Sequence, residues 1–391
     1  MNRRAFVSTT VASSLALSSR AASPKMRVAV IGHTGRGNFG HGLDTMWLDL
    51  PEVEIVAVAD ADEKGLAGAL KKLKVDRGFA DYRKMLTEMK PDLVAIGPRH
   101  IDQHRDMTLA AIEAGARGIY MEKPFCRSLA EADEIVAACD QRGTKLALAH
   151  RNRYHPVLPR LVQLIKDGAI GQPLEYRARG KEDARGGSLD LWVLGSHLFN
   201  LIHFFAGDPL SCSAAVLQKG HPVTKADVVE GSEGIGPLAG NEVHARFEMQ
   251  NSLPAFFDSV QNAGVKSAGF GVQIIGTTGI IDLRIDAEPL AHILQGSPFG
   301  PDSKPRVWTP ISSAGIGKPE PMKDIRKAIG GHLEPARDLI AAIQENRDPL
   351  CSAKEGRVTL EMISGIFESH RLGGSRVALP LKDRTNPQSR L

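Results

Sequence analysis

Arg27-Val28-Ala29-Val30-Ile31-Gly32-His33-Thr34-Gly35-Arg36-Gly37-Asn38-Phe39-Gly40 is the stretch on which the fold turns. Val28 to Ile31 is an unbroken apolar run, the mark of a central parallel strand buried on both faces. Four glycines follow it in the spacing G-x-x-G-x-G-x-x-G. Glycine removes the Cβ that would keep backbone N–H groups away from a phosphate. A helix expected over residues 38 to 49 would turn its positive end toward the same anion. The stretch therefore reads as a dinucleotide loop with a small insertion, Gly32 standing where the first glycine usually follows the strand. Val53 to Ala59 is the second strand. It ends in Asp60, placed to bind a ribose 2′-hydroxyl and to repel a 2′-phosphate, so NAD is favoured over NADP.

Working outward, the chain alternates. Helices are expected at 62 to 74, 81 to 89, 102 to 114 and from Ser128 to about 141, where Ser128 and Glu131 form a capping box. Short strands are expected near 75 to 79 and at 93 to 96, 118 to 121 and 145 to 149. Strands alternating with helices over some 125 residues specify a doubly wound parallel sheet. Past residue 150 the pattern changes. A helix over 156 to 166 precedes alternating runs at 174–179, 213–218, 242–250, 254–261, 272–275 and 279–285. These are half-buried antiparallel strands. One apolar helix, 191 to 205, interrupts them, and helices at 334–346 and 355–371 close the chain. Residues 220 to 240 and 295 to 320 read as loops. The expected architecture is α/β: a Rossmann domain over 25–150, then an α+β domain over 151–391 with an open, mostly antiparallel sheet and closing helices within 334–371.

The 391 residues suffice for two domains, and 42% apolar with 24% charged residues suits a globular protein. The net charge of +4 is scattered, which leaves no nucleic-acid footprint. No apolar run reaches transmembrane length. Residues 1–24 read as a twin-arginine export signal. Arg3-Arg4-Ala5-Phe6 opens it, a weakly apolar run to Ser19 follows, and Arg20-Ala21-Ala22 ends it. That places the mature protein in the periplasm, exported folded. The four cysteines are expected to stay reduced. Cys126 and Cys139 flank a predicted helix, beyond the ~7 Å a disulfide spans. No metal site is expected.

Glu122-Lys123-Pro124 carries the chemistry. A lysine at the carboxyl end of a strand in such a sheet faces the ligand crevice. Desolvated beside a positive nicotinamide ring, it would titrate near neutrality and take a proton from a hydroxyl. A second candidate is His197, on the apolar helix behind Gly195.

The glycine loop, Glu122-Lys123-Pro124 and Gly195-Ser196-His197 together resemble the Gfo/Idh/MocA family over about residues 26 to 380. Gly168-Ala169-Ile170-Gly171 and Gly276-Thr277-Thr278-Gly279 fit as well. The resemblance implies NAD(P)-dependent oxidation or reduction of a sugar or polyol, and a homo-oligomer built through the open sheet. It maps the family's lysine onto Lys123, its histidine onto His197, a helix-opening histidine onto His104 and an arginine–aromatic pair onto Arg153-Tyr154. The candidate cofactor contacts are Gly32, Gly35, Arg36, Gly37, Asp60, Pro98, His104, Glu122, Lys123 and Arg153. The candidate catalytic residues are Lys123, His197 and Asp190.

Two departures from the family stand out. Its aspartate four residues before the histidine is Val193 here, and its aspartate three residues after is Asn200. Asp190 lies seven residues before, about 10.5 Å along a helix axis, too far to bond the same ring. With Asp183 and Arg185 it is expected to face the substrate instead. An exported enzyme lacks a supply of soluble NAD, so the cofactor is expected to be held tightly and recycled in place. One route is a net oxidoreduction with a second substrate. Another is a redox-neutral glycosidase or epimerase that oxidises, eliminates, adds and reduces. A third reading, motivated by Val193, is a non-catalytic sugar-binding protein.

Overall fold

The computed structural model describes residues 24–264, 270–301 and 305–391. The expected export signal falls almost wholly outside them. Six strands, β1 (Met26–Ile31), β2 (Val53–Ala59), β3 (Gly78–Phe79), β4 (Leu93–Ile96), β5 (Gly118–Met121) and β6 (Lys145–Leu148), form a parallel sheet in the order 3-2-1-4-5-6. The order reverses between β1 and β4, where a doubly wound sheet opens its ligand crevice. Within β1, Ala29 and Ile31 face one core while Val28 and Val30 face the other. Both faces are covered, so the strand carries no polar alternation.

The helices begin and end where side chains satisfy their free backbone groups. α1 (Glu63–Leu73) is capped by Asp62, α2 (Tyr82–Met89) by Asp81 and α4 (Leu129–Arg142) by Ser128. α3 (His104–Glu113) follows a 3-10 turn at Ile101–Gln103.

The helix expected over 38 to 49 does not form. Gly37, Asn38, Gly40 and Gly42 all have positive φ, from 54° to 93°, and such backbone cannot enter a right-handed helix. Only a 3-10 turn, Met46–Asp49, remains, and it buries Met46 and Trp47. The face thus left open is covered from the far end of the chain. α5 (Val157–Lys166) and α6 (Ser188–Ala206) precede α7 (Leu333–Glu345) and α8 (Ala353–Arg371). Leu333, Ala336, Leu339 and Ile340 of α7 share a core with Val28, Val30, Tyr120 and Ala147. A closing helix that chain order assigns to the second half therefore completes the first sheet.

The second sheet has eleven strands and is mixed. Its centre pairs Gly271–Gly276, Pro173–Arg179, Pro254–Val260, Glu242–Met249 and Pro209–Gln218 in that order. Only Pro173–Arg179 with Pro254–Val260 is parallel. The regions expected as loops contain strands: a hairpin of Val229–Gly231 with Gly236–Leu238, and Thr309–Ser312 with Gly315–Ile316. The tip of that first hairpin reaches the turn between β4 and α3. A Cβ on Gly234 would lie 2.3 Å from Asp102 Oδ1, at the head of α3. Gln388 pins the base of the hairpin. Its amide oxygen accepts from Ala239 N at 3.1 Å and its nitrogen donates to Ala239 O at 3.0 Å. α6 is long and apolar enough to cross a membrane, but 78% of it is buried in the protein core. All four cysteines are buried free thiols.

Candidate active site

β5 ends at Met121, and the next two residues are both buried. Glu122 is 1% exposed and Lys123 8% exposed. Lys123 Nζ donates to Val193 O at 2.8 Å. Val193 lies where α6 widens into a π turn, Leu191–Gly195. The acceptor is a backbone carbonyl, and the Val193 side chain adds no carboxylate beside it. Burial pushes the Lys123 amine below its ordinary value, and Glu122 opposes the shift.

Glu122 Oε2 accepts from His41 N at 3.0 Å and from His41 Nδ1 at 2.9 Å. Its Oε1 accepts from Lys123 N. Burial alone would raise its pKa, but the His41 hydrogen bond and the Lys123 charge outweigh it and hold the carboxyl at about 2. A carboxylate depressed in the folded state contributes stability above its unfolded pKa and loses it as pH falls through the folded value. The window here runs from 4.5 down to about 2 and is on the order of 3 kcal/mol. Glu122→Gln is accordingly expected to lose less thermal stability than the parent between pH 5 and pH 3. Equal losses in melting curves would remove Glu122 from the acid transition.

His197 is buried and shares the pocket with Lys123, together with His41, Glu122, Arg151, Leu194, Asp286 and His332. Its Nδ1 has no hydrogen-bond partner among the described residues. His150 packs edge-on against its ring, centroids 5.2 Å apart, and His150 Nε2 is likewise unpartnered. Burial, then the charge of Lys123, drives both imidazoles down, His150 to about 3. Both are neutral at neutral pH.

The other predicted site residues separate. Asp190 is fully buried but does not line this pocket. Its Oδ2 accepts from Glu182 N at 3.0 Å and Ser259 Oγ at 2.7 Å, fastening the 180–188 loop to the second sheet. Asp183 and Arg185 pair with each other. His104 is a buried strap between loops, with Nδ1 3.0 Å from Phe125 O and Nε2 2.7 Å from Pro98 O. Pro98 is engaged through that carbonyl. Arg153 lies over the Phe204 ring at 4.1 Å, and the arginine in the pocket is Arg151, held by Asp286 at 2.7 Å. Asp60 is 1% exposed and serves the glycine loop, accepting from Thr34 N, Thr34 Oγ1 and Asp62 N.

The crevice between the β1 and β4 loops suits a diphosphate. Gly35 has φ +85° and open space around it. Gly37 lies against Arg99, where a Cβ would meet the backbone nitrogen at 2.2 Å. Arg36 bonds Asp102, and His33 bonds Gln103, across the crevice. That leaves Arg36 Nε and Gln103 Nε2 as buried donors without partners. Unused donors beside a glycine loop fit an anionic ligand. Sequence patterns did not point to His41, His150, Arg151, Asp286 or His332, which come from four separate segments.

Comparison with known proteins agrees with this geometry. A family model described as the NAD-binding Rossmann fold of an oxidoreductase family matches residues 26–150, and its C-terminal alpha/beta companion matches 162–379. The D-apiose dehydrogenase of Paraburkholderia graminis is 25% identical over 353 residues, 87% of each chain. The levoglucosan dehydrogenase of Pseudarthrobacter phenanthrenivorans is 23% identical over 357 residues, 78% of this chain and 90% of that one. A structure of a levoglucosan dehydrogenase with NADH and L-sorbose superposes with a TM-score of 0.70 at 18% identity, covering 91% of this chain and 99% of the other, a likeness of fold. The protein is a member of the Gfo/Idh/MocA oxidoreductase family, with NAD as its cofactor.

Proposed function

We propose that the chain is an NAD-dependent dehydrogenase of a sugar or polyol hydroxyl, with Lys123 as the base. The observation that carries the reading is Lys123 itself. It is a buried amine with a lowered pKa, held by one neutral carbonyl and flanked by imidazole nitrogens that lack partners. Bound NAD⁺ supplies the hydride acceptor. The hydroxyl proton passes to Lys123 Nζ as the C–H bond gives up its hydride. His197, neutral and without a carboxylate partner, is suited to hold the hydroxyl oxygen. The names of the relatives, apiose and levoglucosan dehydrogenases, support a carbohydrate substrate.

A second reading is redox-neutral turnover, glycoside cleavage or epimerisation, on a cofactor that is never released. The hairpin tip on Asp102, pinned by Gln388, favours it, because it places part of the second domain over the head of α3 beside the crevice. Export through the twin-arginine signal of residues 1–24 belongs to the same proposal, since it demands a retained cofactor. So does self-association through the open sheet, where Arg177, Arg179, Asp258, Asp282 and Arg284 line a groove of about 800 Å3.

One preparation tests these points together. The full chain is recovered from the periplasmic fraction, sized by light scattering, denatured, and its released nucleotide identified by mass. Near-stoichiometric NAD or NADH is expected, and an oligomer. Turnover of an aryl glycoside without added NAD would establish the second reading over the first. An empty, monomeric protein found only in the cytoplasm would overturn retention, export and self-association.

A further inference from the structure

The Lys123 pocket holds a residue that the proposed chemistry leaves idle. His332 follows Gly330-Gly331 and stands just before α7, at φ +61°. A non-glycine residue in the left-handed region costs about 1 kcal/mol or more and persists where its surroundings hold it. Here the hold is visible. The ring is 2% exposed, packs edge-on against Tyr120 at 5.8 Å, and has Nδ1 2.6 Å from the Tyr120 hydroxyl. Tyr120 is fully buried on β5, two residues before Glu122. Among the described residues Nδ1 is the one partner given for that hydroxyl, and with the hydroxyl donating, its proton is satisfied there. The imidazole then carries its own hydrogen on Nε2, and Nε2 has no partner among the described residues.

We infer that His332 is a substrate-binding residue of this site, donating from Nε2–H to the hydroxyl next to the one that Lys123 deprotonates, so that the enzyme selects vicinal diols. The inference rests on the dehydrogenase reading above. Three observations carry it. His332 lines the same pocket as Lys123 and His197. It brings a neutral donor, since burial lowers its pKa to about 4 against the opposing pull of Glu122. A neutral donor without a partner matches a neutral oxygen, and leaving it unmatched costs about 1–3 kcal/mol. Finally, the pocket is about 50 Å3, small beside the roughly 300–1,000 Å3 of sites that enclose a drug-sized ligand. Such a pocket takes the reacting carbon and its neighbour, not a whole ring. Tyr120 acts through His332 as a positioning residue that sets its tautomer.

The test compares the parent with His332→Asn and Tyr120→Phe. Asparagine tolerates the left-handed backbone, so the first variant keeps the fold while its shorter amide withdraws the donor. With a polyol that the parent oxidises, His332→Asn is expected to lower kcat/KM about 10- to 100-fold. With the analogue lacking the neighbouring hydroxyl, parent and variant are expected to agree within about threefold. NAD binding should stay near the parental value, and the melting temperature should fall by only a few degrees as the buried Tyr120 hydroxyl loses its partner. Nitrogen-15 spectra of the histidines should show an Nε2–H tautomer for His332 in the parent, and a mixture in Tyr120→Phe. Equal losses on both substrates, or an Nδ1–H tautomer in the parent, would overturn the inference. If the parent oxidises no polyol at all, the dehydrogenase reading itself fails, and the inference with it.

Discussion

Lys123→Ala is expected to lower kcat about 10²–10⁴-fold, the usual worth of a positioned general base, and to leave NAD affinity within about threefold. Lys123→Arg is expected to be as slow. Arginine keeps the positive charge but does not release a proton in the working range, so the pair of variants separates charge from basicity. The sign of the pH dependence follows from burial. Oxidation needs the free amine. Burial lowers the Lys123 pKa, so the rate should rise with pH along a limb below the ~10.4 of an ordinary lysine, and that limb should vanish in both variants. The effect should be large because the imidazoles around Lys123 are weaker bases. Burial lowers the pKa of both His197 and His150, and His197 has Val193 four residues before it in place of an acid that would strengthen it. An unchanged turnover in Lys123→Ala would remove the lysine from the chemistry. A parent that binds sugar and turns nothing over would leave only the binding reading.

The value of local pattern is clearest at Lys123. A lysine at the carboxyl end of a buried parallel strand is placed by topology, and four apolar residues before it sufficed to read the strand. The cap at Ser128 is legible for the same reason, since it acts within three residues of itself, as do the caps at Asp62 and Asp81 that the structure adds. The helix expected over 38 to 49 follows from the dinucleotide-loop pattern, in which a helix normally succeeds the glycines. The glycines at 37, 40 and 42 overrule it by taking left-handed backbone. Asp60 was read correctly as the end of β2, but its oxygens belong to Thr34, a contact 26 residues away. Distance in sequence defeats pattern most at His332, whose partner Tyr120 lies 212 residues off. Likewise α7 reads as a closing helix of its own half, and only packing reveals that it fills the face left by the missing crossover helix.

That missing helix makes Gly37 the other position of large effect. Where a helix N-terminus does not form, the crevice depends on the loops of β1 and β4 lying in direct backbone contact. Beside Phe39 and Gly40 against Gly97, Gly37 is one of the points of contact. A Cβ there would stand 2.2 Å from Arg99 N and 2.8 Å from Arg99 Cα, and the residue has φ +93°. Neither backbone can swing aside as a flexible side chain would. Gly37→Ala is therefore expected to destabilise the fold by about 2–4 kcal/mol, roughly 5–10 °C in melting temperature. NAD binding should weaken by at least about tenfold, because the substitution forces apart the loops that flank Arg36 and Gln103. Gly35→Ala is the control. It carries φ +85° with nothing within 4 Å of the new Cβ, so it adds only the left-handed strain of about 1–2 kcal/mol. Thermal melts and NAD titrations of the two variants side by side decide the matter. If they match, the two glycines serve only turn conformation. If Gly37→Ala falls well below Gly35→Ala in both measurements, loop contact has taken over the part that a helix N-terminus plays in other dinucleotide folds.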